Sequence, residues 1–257
     1  MMKYQDNIEE ITKKVGAYLL SHFGSILEQH HKSDTHYDTV DDKIVSDMYK
    51  VYLAEKYPTY GFYSEEEMTD TSHLEYYWMI DPIEGTTNYS HNIPFFATQI
   101  ALINKDQVIA SGVYLPAQNE MYYAENGFGS FCNDVKIHIS QTQNLDKSIV
   151  SIGKGTGVPN LTWWGNTNQI LAPKSRTLRF IGATGIDICY VAAGKLDIHI
   201  NHGSHNYDYA PGSLIAKEAG AKVVNFQGKP WKISDSDIII GNTILVDQVL
   251  SQLGAKL

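Results

Sequence analysis

Four strand-like runs that follow one another with only short turns between them constrain this chain more than any other feature. FFATQIALI, QVIASGVYL, EMYYAE and VKIHIS are separated by Asn104-Lys105-Asp106, Ala117-Gln118-Asn119, Asn126-Gly127 and Asn133-Asp134. β-Branched and aromatic runs punctuated by Asn, Asp and Gly form hairpins, because those residues tolerate the turn backbone that the flanking runs do not. A mostly antiparallel sheet is therefore expected up to residue 140. Just before it, YYWMI is an apolar run stopped by Asp81 and Pro82, the pattern of a buried strand feeding a turn.

The flanking segments set the rest of the architecture. Ile8, Ile11, Val15, Tyr18, Leu19, Phe23, Ile26 and Leu27 recur at three- and four-residue steps, which predicts an amphipathic helix from Ile8 to Gln29. His30 to Asp42 carries three His and four Asp without periodicity and reads as a mobile loop. A second helix presents Ile44, Met48, Val51, Tyr52 and Leu53 on one side and ends before Pro58. Beyond Gln141, SIVSIG, LDIHIN and AKVVNF read as strands, and Thr184 to Ala193 and Ala210 to Ala219 as helices. The class is α/β, helices alternating with two sheets, with residues 1–140 and 141–257 as subdomains sharing one core.

Composition narrows the function. The chain has 257 residues, 20 Lys and Arg against 29 Asp and Glu, and a net charge of −9. Such a chain repels nucleic-acid phosphates rather than binding them. No apolar run approaches the roughly 20 residues of a membrane span, and MMKYQDNIEEITKK is charged from its first turn, unlike a signal peptide. Cys132 and Cys189 form no CxxC pair, which excludes a zinc ribbon and suits reduced thiols in a cytoplasmic protein.

Three acidic sites have unusual surroundings: Glu65 in FYSEEE, Asp81 and Glu84 in WMIDPIEGTTN, and Asp208 in NYDYAPGSLIAKEAG. Pro82 turns the backbone so that Glu84 returns beside Asp81 with the Ile83 carbonyl between them, an all-oxygen set suited to a small hard cation such as Mg²⁺. Gly85, Thr86 and Thr87 follow at once, and a Gly-Thr turn opening a helix aims N–H groups at an anion. Asp208 sits just before a helix whose first turn holds Pro211; alone, an Asp there is a cap, and Glu65-Glu66-Glu67 alone is a solvated acidic surface.

Together these segments outweigh those bland readings. Trp78, Ile80, Asp81, Pro82, Ile83, Gly85, Thr86, Asn88 and Tyr89 match W-x-I-D-P-[IL]-D-G-T-x-N-[FY]. Tyr207, Asp208, Ala210, Pro211, Gly212, Glu218, Ala219 and Gly220 approximate W-D-x-A-[AG]-G with E-A-G. Thr39-x-x-Asp42, Tyr57-Pro58 and Glu65-Glu66 fall in the matching order. On these motifs the sequence resembles the inositol monophosphatase family of metal-dependent phosphomonoesterases, across nearly the whole chain. The resemblance implies an α-β-α-β-α sandwich, a homodimer, lithium inhibition and a small phosphate-monoester substrate. It implies that Glu65, Asp81 and the Ile83 carbonyl bind a first Mg²⁺, that Asp81, Glu84 and Asp208 bind a second, and that a third, weaker ion shares Glu65. It also implies that Thr86 with Asp42, chosen over Asp41, positions the nucleophilic water. The resemblance further implies that the Gly85 and Thr86 amides hold the phosphate and that Gly182, Ala183, Thr184 and Asn201 line the substrate pocket.

Two departures matter. Glu84 stands where the family has Asp, one methylene and roughly 1.5 Å longer, which Mg²⁺ tolerates less well than Mn²⁺ or Ca²⁺. Asn201, seven residues before Asp208, stands where a glutamate receives inositol hydroxyls, which admits a bulkier or more anionic substrate such as NADP, 3′-phosphoadenosine 5′-phosphate or a sugar bisphosphate. A non-catalytic regulatory role is the rival; the retained Glu65, Asp81, Thr86 and Asp208, costly to keep together, argue against it. Of the remaining motifs, His199, His202 and His205 read as pocket rim rather than zinc ligands. Gly153-Lys154-Gly155-Thr156-Gly157 reads as a flexible turn, and Trp163 and Trp164 as surface anchors, interface anchors or a cap over substrate.

Overall fold

The computed structural model describes residues 2–25, 29–33 and 36–254, with side chains over 2–25 and 39–254. Helix α1 (Gln5–His22) precedes the antiparallel pair β1 (Gln29–Ser33) and β2 (His36–Thr39). Then come α2 (Val40–Lys56), β3 (Gly61–Ser64), β4 (Tyr76–Glu84) and the short α3 (Thr86–Ser90). Strands β5 (Ala97–Asn104), β6 (Gln107–Leu115), β7 (Glu120–Glu125), β8 (Gly129–Cys132) and β9 (Val135–Lys136) follow. The chain continues through β10 (Ile149–Ile152), α4 (Val158–Leu171), β11 (Thr177–Arg179), α5 (Thr184–Ala192) and β12 (Ile198–His202). It closes with α6 (Asn206–Glu218), β13 (Lys222–Val224), β14 (Asp237–Gly241) and α7 (Thr243–Leu253).

Among the described residues, β3 to β9 form a seven-stranded sheet in chain order, antiparallel except where β3 meets β4. The second sheet has the order β11-β10-β12-β14-β13, with β10, β11 and β12 parallel. Three apolar layers join the elements. Ile8, Ile11, Val15 and Leu19 of α1 and Val45 and Tyr49 of α2 pack on Trp78, Ile80 and Ile100 of the larger sheet. On its other face, Ile186 and Ile188 of α5 and Leu214 and Ile215 of α6 lie between Val113 and Tyr122 of that sheet and Ile238 and Ile240 of the smaller one. Leu171 of α4 and Leu245, Val246 and Val249 of α7 cover the far side of the smaller sheet. At roughly 1.5–3 kcal/mol for each buried aliphatic side chain, these layers hold the two sheets against α5 and α6, whose N-termini carry the site. The result is the α-β-α-β-α sandwich expected. No helix among the described residues is long and apolar enough to cross a membrane.

The local expectations need several corrections. Helix α1 stops at His22, not Gln29, because Gly24 adopts a left-handed φ of 88° that an ordinary side chain avoids; Ile26 and Leu27 lie outside the described residues. The stretch expected as a loop pairs as β1 and β2, and Asp41 and Asp42 belong to α2. Thr39 and Asp42 close a capping box, so T-x-x-D is a helix start as well as a family element. The buried face of α2 carries Val45, Ser46, Tyr49 and Leu53, leaving Ile44 38% and Val51 71% exposed. VKIHIS is strand only at Val135–Lys136, and α4, β8, β11, β14 and α7 add to the elements read from the sequence.

Candidate active site

A strand irregularity builds the first part of the site. In an unbroken strand, residues three apart point to opposite faces, which would separate Asp81 from Glu84. Here β4 does not end at Asp81 as expected. It continues to Glu84 with Asp81 opposite Gln99 and Glu84 opposite Ala97, so Pro82 and Ile83 together face Thr98. That extra residue is a bulge, and Pro82 suits it because a bulge spares a ladder N–H. Asp81, Glu84 and Gln99 thereby share the face covered by α5 and α6.

The N-terminus of α6 supplies the third carboxylate. The helix begins at Asn206, one turn earlier than predicted, so Asp208 lies inside its first turn; its carboxylate accepts the His205 N–H at 2.7 Å in a capping box. Pro211 is interior to the helix and has no N–H to give the Tyr207 carbonyl four residues back. Gln99 makes up the loss. Its amide nitrogen donates to Tyr207 O at 3.1 Å, to Asp81 Oδ2 at 3.1 Å and to Glu84 Oε2 at 3.2 Å. Gln99 is fully buried and escaped the sequence reading; the available signal was a lone amide inside the apolar run FFATQIALI.

Asp81, Glu84 and Asp208 place carboxylate oxygens within 4.8 Å of one another. Burial pushes all three carboxyls up from their ordinary range, and mutual repulsion adds to the effect on Asp81 and Asp208, with Glu65 contributing. Glu84 is partly relieved by backbone N–H groups at the start of α5, where it accepts from Thr184 and Gly185. Asp81 Oδ1 is buried without a hydrogen-bond donor. Three crowded oxygen ligands with an unsatisfied oxygen among them fit a hard divalent cation, which would replace the missing donor and cancel the repulsion.

The carboxylates lie in a cleft of about 860 Å³ that also collects Glu65, Ile83, Gly85, Thr86, Gly182, Ala183 and Thr184. Its far wall is made by loops after β10, β11 and β12, which leave the same edge because those strands are parallel, the usual binding crevice of such sheets. Gly85 has a φ of 83°, and a Cβ there would lie 3.0 Å from both Ala183 Cβ and Phe95 O. Asn88, a second residue with an unexpected role, donates to Phe95 O at 2.8 Å and Ile181 O at 2.9 Å, tying α3 to the far wall.

Two predicted roles are not formed. Thr86 Oγ1 donates to Ile83 O at 2.7 Å, so its proton does not go to Asp42. The Asp42 carboxylate accepts the Thr39 N–H at 2.6 Å and hydroxyl at 2.9 Å, and burial followed by repulsion from Glu65 pushes its carboxyl up to about 8. Asn201 is not among the residues that line the cleft. It is fully buried, donates to Thr184 Oγ1 at 2.9 Å, and accepts from Tyr209 at 3.0 Å and Ser204 at 3.1 Å. It therefore positions Thr184 from behind.

The other motifs also change. Of the three histidines only His205 lines the cleft. His199 is buried against Ser151 at 2.8 Å, and burial holds it neutral, down to about 3; His202 stacks on Trp163 and Phe226. The Gly153–Gly157 segment is strapped down rather than flexible, Gly153 N donating to Ile200 O and Gly155 N to His202 O. Trp163 and Trp164 are half-buried and packed inward, Trp164 donating to Ile152 O.

Comparison with known proteins agrees with this geometry. The inositol monophosphatase family model matches residues 3–256. Inositol-1-monophosphatase of Mesorhizobium japonicum is 31% identical over 90% of this chain and 89% of its own. Fructose-1,6-bisphosphatase/inositol-1-monophosphatase of Thermotoga maritima is 28% identical over 94% of this chain and 92% of its own. The crystal structure of the extragenic suppressor protein suhB from Bartonella henselae superposes with a TM-score of 0.93 at 26% identity, covering 98% of this chain and 99% of that one. With two carboxylates on the β4 bulge, a third on α6 and the match spanning both sheets, the chain belongs to the inositol monophosphatase family and is a phosphatase.

Proposed function

We propose that the enzyme is a Mg²⁺-dependent phosphomonoesterase of a small phosphorylated polyol or nucleotide, with inositol 1-phosphate and the 2′-phosphate of NADP as leading substrates. The observation that carries this reading is the Asp81, Glu84 and Asp208 cluster at the floor of the cleft, with Asp81 Oδ1 lacking any donor. Asp81, Glu84 and Asp208 would hold one ion, and Glu65, Asp81 and the Ile83 carbonyl another, with Mn²⁺ as a substitute. Bound ions supply a lowered pKa for the attacking water and charge stabilisation for the leaving oxygen.

The chain's own residues do the rest. The first N–H groups of α3, at Gly85 and Thr86, lack intrahelical acceptors and orient the phosphate. Glu65 and Thr86 line the cleft and would orient the water, Thr86 through its hydroxyl oxygen because its proton goes to Ile83 O, while Asp42 secures the start of α2. Gly182, Ala183 and Thr184 form the wall against which the alcohol portion rests. Family membership further supports a lithium-sensitive, homodimeric enzyme of the cytoplasm.

Phosphate release from inositol 1-phosphate, NADP, fructose 1,6-bisphosphate and 3′-phosphoadenosine 5′-phosphate, each with Mg²⁺ and with EDTA, tests the proposal. Metal-dependent release from one or two of them is expected. Silence from folded protein at high Mg²⁺ would refute it in favour of the regulatory role.

A further inference from the structure

The walls of the cleft differ in charge. Its floor carries Glu65, Asp81, Glu84 and Asp208, with Asp187 of α5 also in the lining, whereas the Lys and Arg among the described lining residues, Lys154 and Arg179, both stand on the far wall. Lys154 leaves the end of β10, and Arg179 ends the adjacent parallel strand β11. Neither forms an ion pair among the described residues, although the chain is acidic overall.

Both positions are held. Lys154 sits between two strapped glycines, and a Cβ on Gly155 would fall 1.8 Å from Gly203 O, so the backbone approaches that loop as only glycine allows. Its ammonium stands 5.8 Å from the centre of the Phe180 ring, which is 53% exposed and braced from within by Trp164 at 5.2 Å. Arg179 spends one nitrogen on Thr177 Oγ1 and Leu178 O, leaving its other N–H donors open. Two cations without carboxylate partners, beside an exposed ring and across from the catalytic carboxylates, are poor packing and a good anion receptor.

We propose that Lys154 and Arg179, with Phe180 beside them, form a second subsite that takes a second phosphoryl group of the substrate. The inference rests on the phosphomonoesterase reading and narrows it: substrates that carry a second phosphoryl group, bisphosphates above all, are favoured over inositol 1-phosphate, one phosphate being cleaved at the carboxylate floor and the other held at the rim. Sugar and nucleoside bisphosphates share this chemistry, and Phe180 offers a base a stacking surface that a sugar does not use.

The test compares wild type with Lys154→Gln/Arg179→Gln on inositol 1-phosphate, fructose 1,6-bisphosphate and 3′-phosphoadenosine 5′-phosphate, with circular dichroism to verify folding. Wild type should favour a bisphosphate in kcat/KM, and the double variant should lose that preference by about tenfold per cation, through KM. Added salt should raise KM for the bisphosphate more than for the monophosphate. Phe180→Leu should lower the nucleoside arm alone if the base stacks, and neither arm if the sugar is the substrate. A wild type that prefers the monophosphate, or a double variant that loses equally on all three, overturns the subsite while leaving the phosphatase intact. A wild type silent on all three and on NADP refutes the phosphomonoesterase reading itself, and one silent on the three but active on NADP overturns the subsite alone.

Discussion

Gln99→Met should loosen the metal site without emptying the core. The substitution keeps side-chain length, which matters because Gln99 lies hard against Gly185, but deletes the amide that joins Asp81, Glu84 and Tyr207 O. Tyr207 O is then a carbonyl without a donor, and the helix cannot supply one because Pro211 has no N–H. That orphan costs about 1–3 kcal/mol, which for a chain of this size lowers Tm by a few degrees in EDTA, about 2–4 °C for each kcal/mol. The two carboxylates lose the group that orients them, and such outer partners typically set about 10–100-fold in metal affinity. Calorimetric titration with Mg²⁺ and Mn²⁺, beside thermal unfolding in EDTA, reads both effects. If the variant binds either ion as tightly as wild type, Gln99 does not organise the site and the logic of the bulge is wrong.

The remaining expectations concern charge and reach. Glu84→Asp should tighten Mg²⁺ binding, because the shorter carboxylate can no longer serve the α5 amides and the metal together; it should also cost about 0.5–2 kcal/mol as a lost cap. Mg²⁺ titration and amide exchange at Thr184 and Gly185 measure this, and weaker Mg²⁺ binding with unchanged exchange would count against it. Metal-free protein should lose stability as pH rises. Asp42, pushed up to about 8, and Asp81, Glu84 and Asp208, raised in the same direction, keep protons that the unfolded chain releases near about pH 4. Folded protein then binds more protons than unfolded across that window, so stability is highest at its acid end and falls towards its upper limit. Thermal unfolding in EDTA should give the lower Tm at about pH 8 than at about pH 5.5, with Mg²⁺ narrowing the gap; the reverse order contradicts the crowding of the carboxylates.

What the sequence made legible was whatever depends on local pattern. The meander from Ala97 to Glu125 was visible because every turn carries its own Asn, Asp or Gly. Asp81, Glu84 and Asp208 were visible because their motifs are contiguous. The buried face of α2 was not, since Asp41, Asp42, Ser46 and Tyr49 are polar or amphipathic residues facing inward towards hydrogen bonds that only the tertiary structure supplies. Asn201 was misplaced for a related reason: counting back from Asp208 finds its position in the chain, but not that Tyr209, Ser204 and Thr184 already consume its amide.

Two prolines account for how so acidic a site is held together. Each removes a backbone donor in the middle of regular structure, normally a loss. Pro82 sits in the bulge, where the ladder needs no donor, and the bulge turns Glu84 onto the face of Asp81. Pro211 withholds a donor from Tyr207 O, and that freed acceptor anchors the same Gln99 amide that bridges Asp81 and Glu84. A strand without the first proline's bulge would point Glu84 away, towards α1 and α2, and a helix without the second would bind its own carbonyl and leave Gln99 only the carboxylates. The carboxylates themselves repel, so their convergence must come from backbone geometry on both sides, and these two positions are where strand and helix each depart from regularity to provide it.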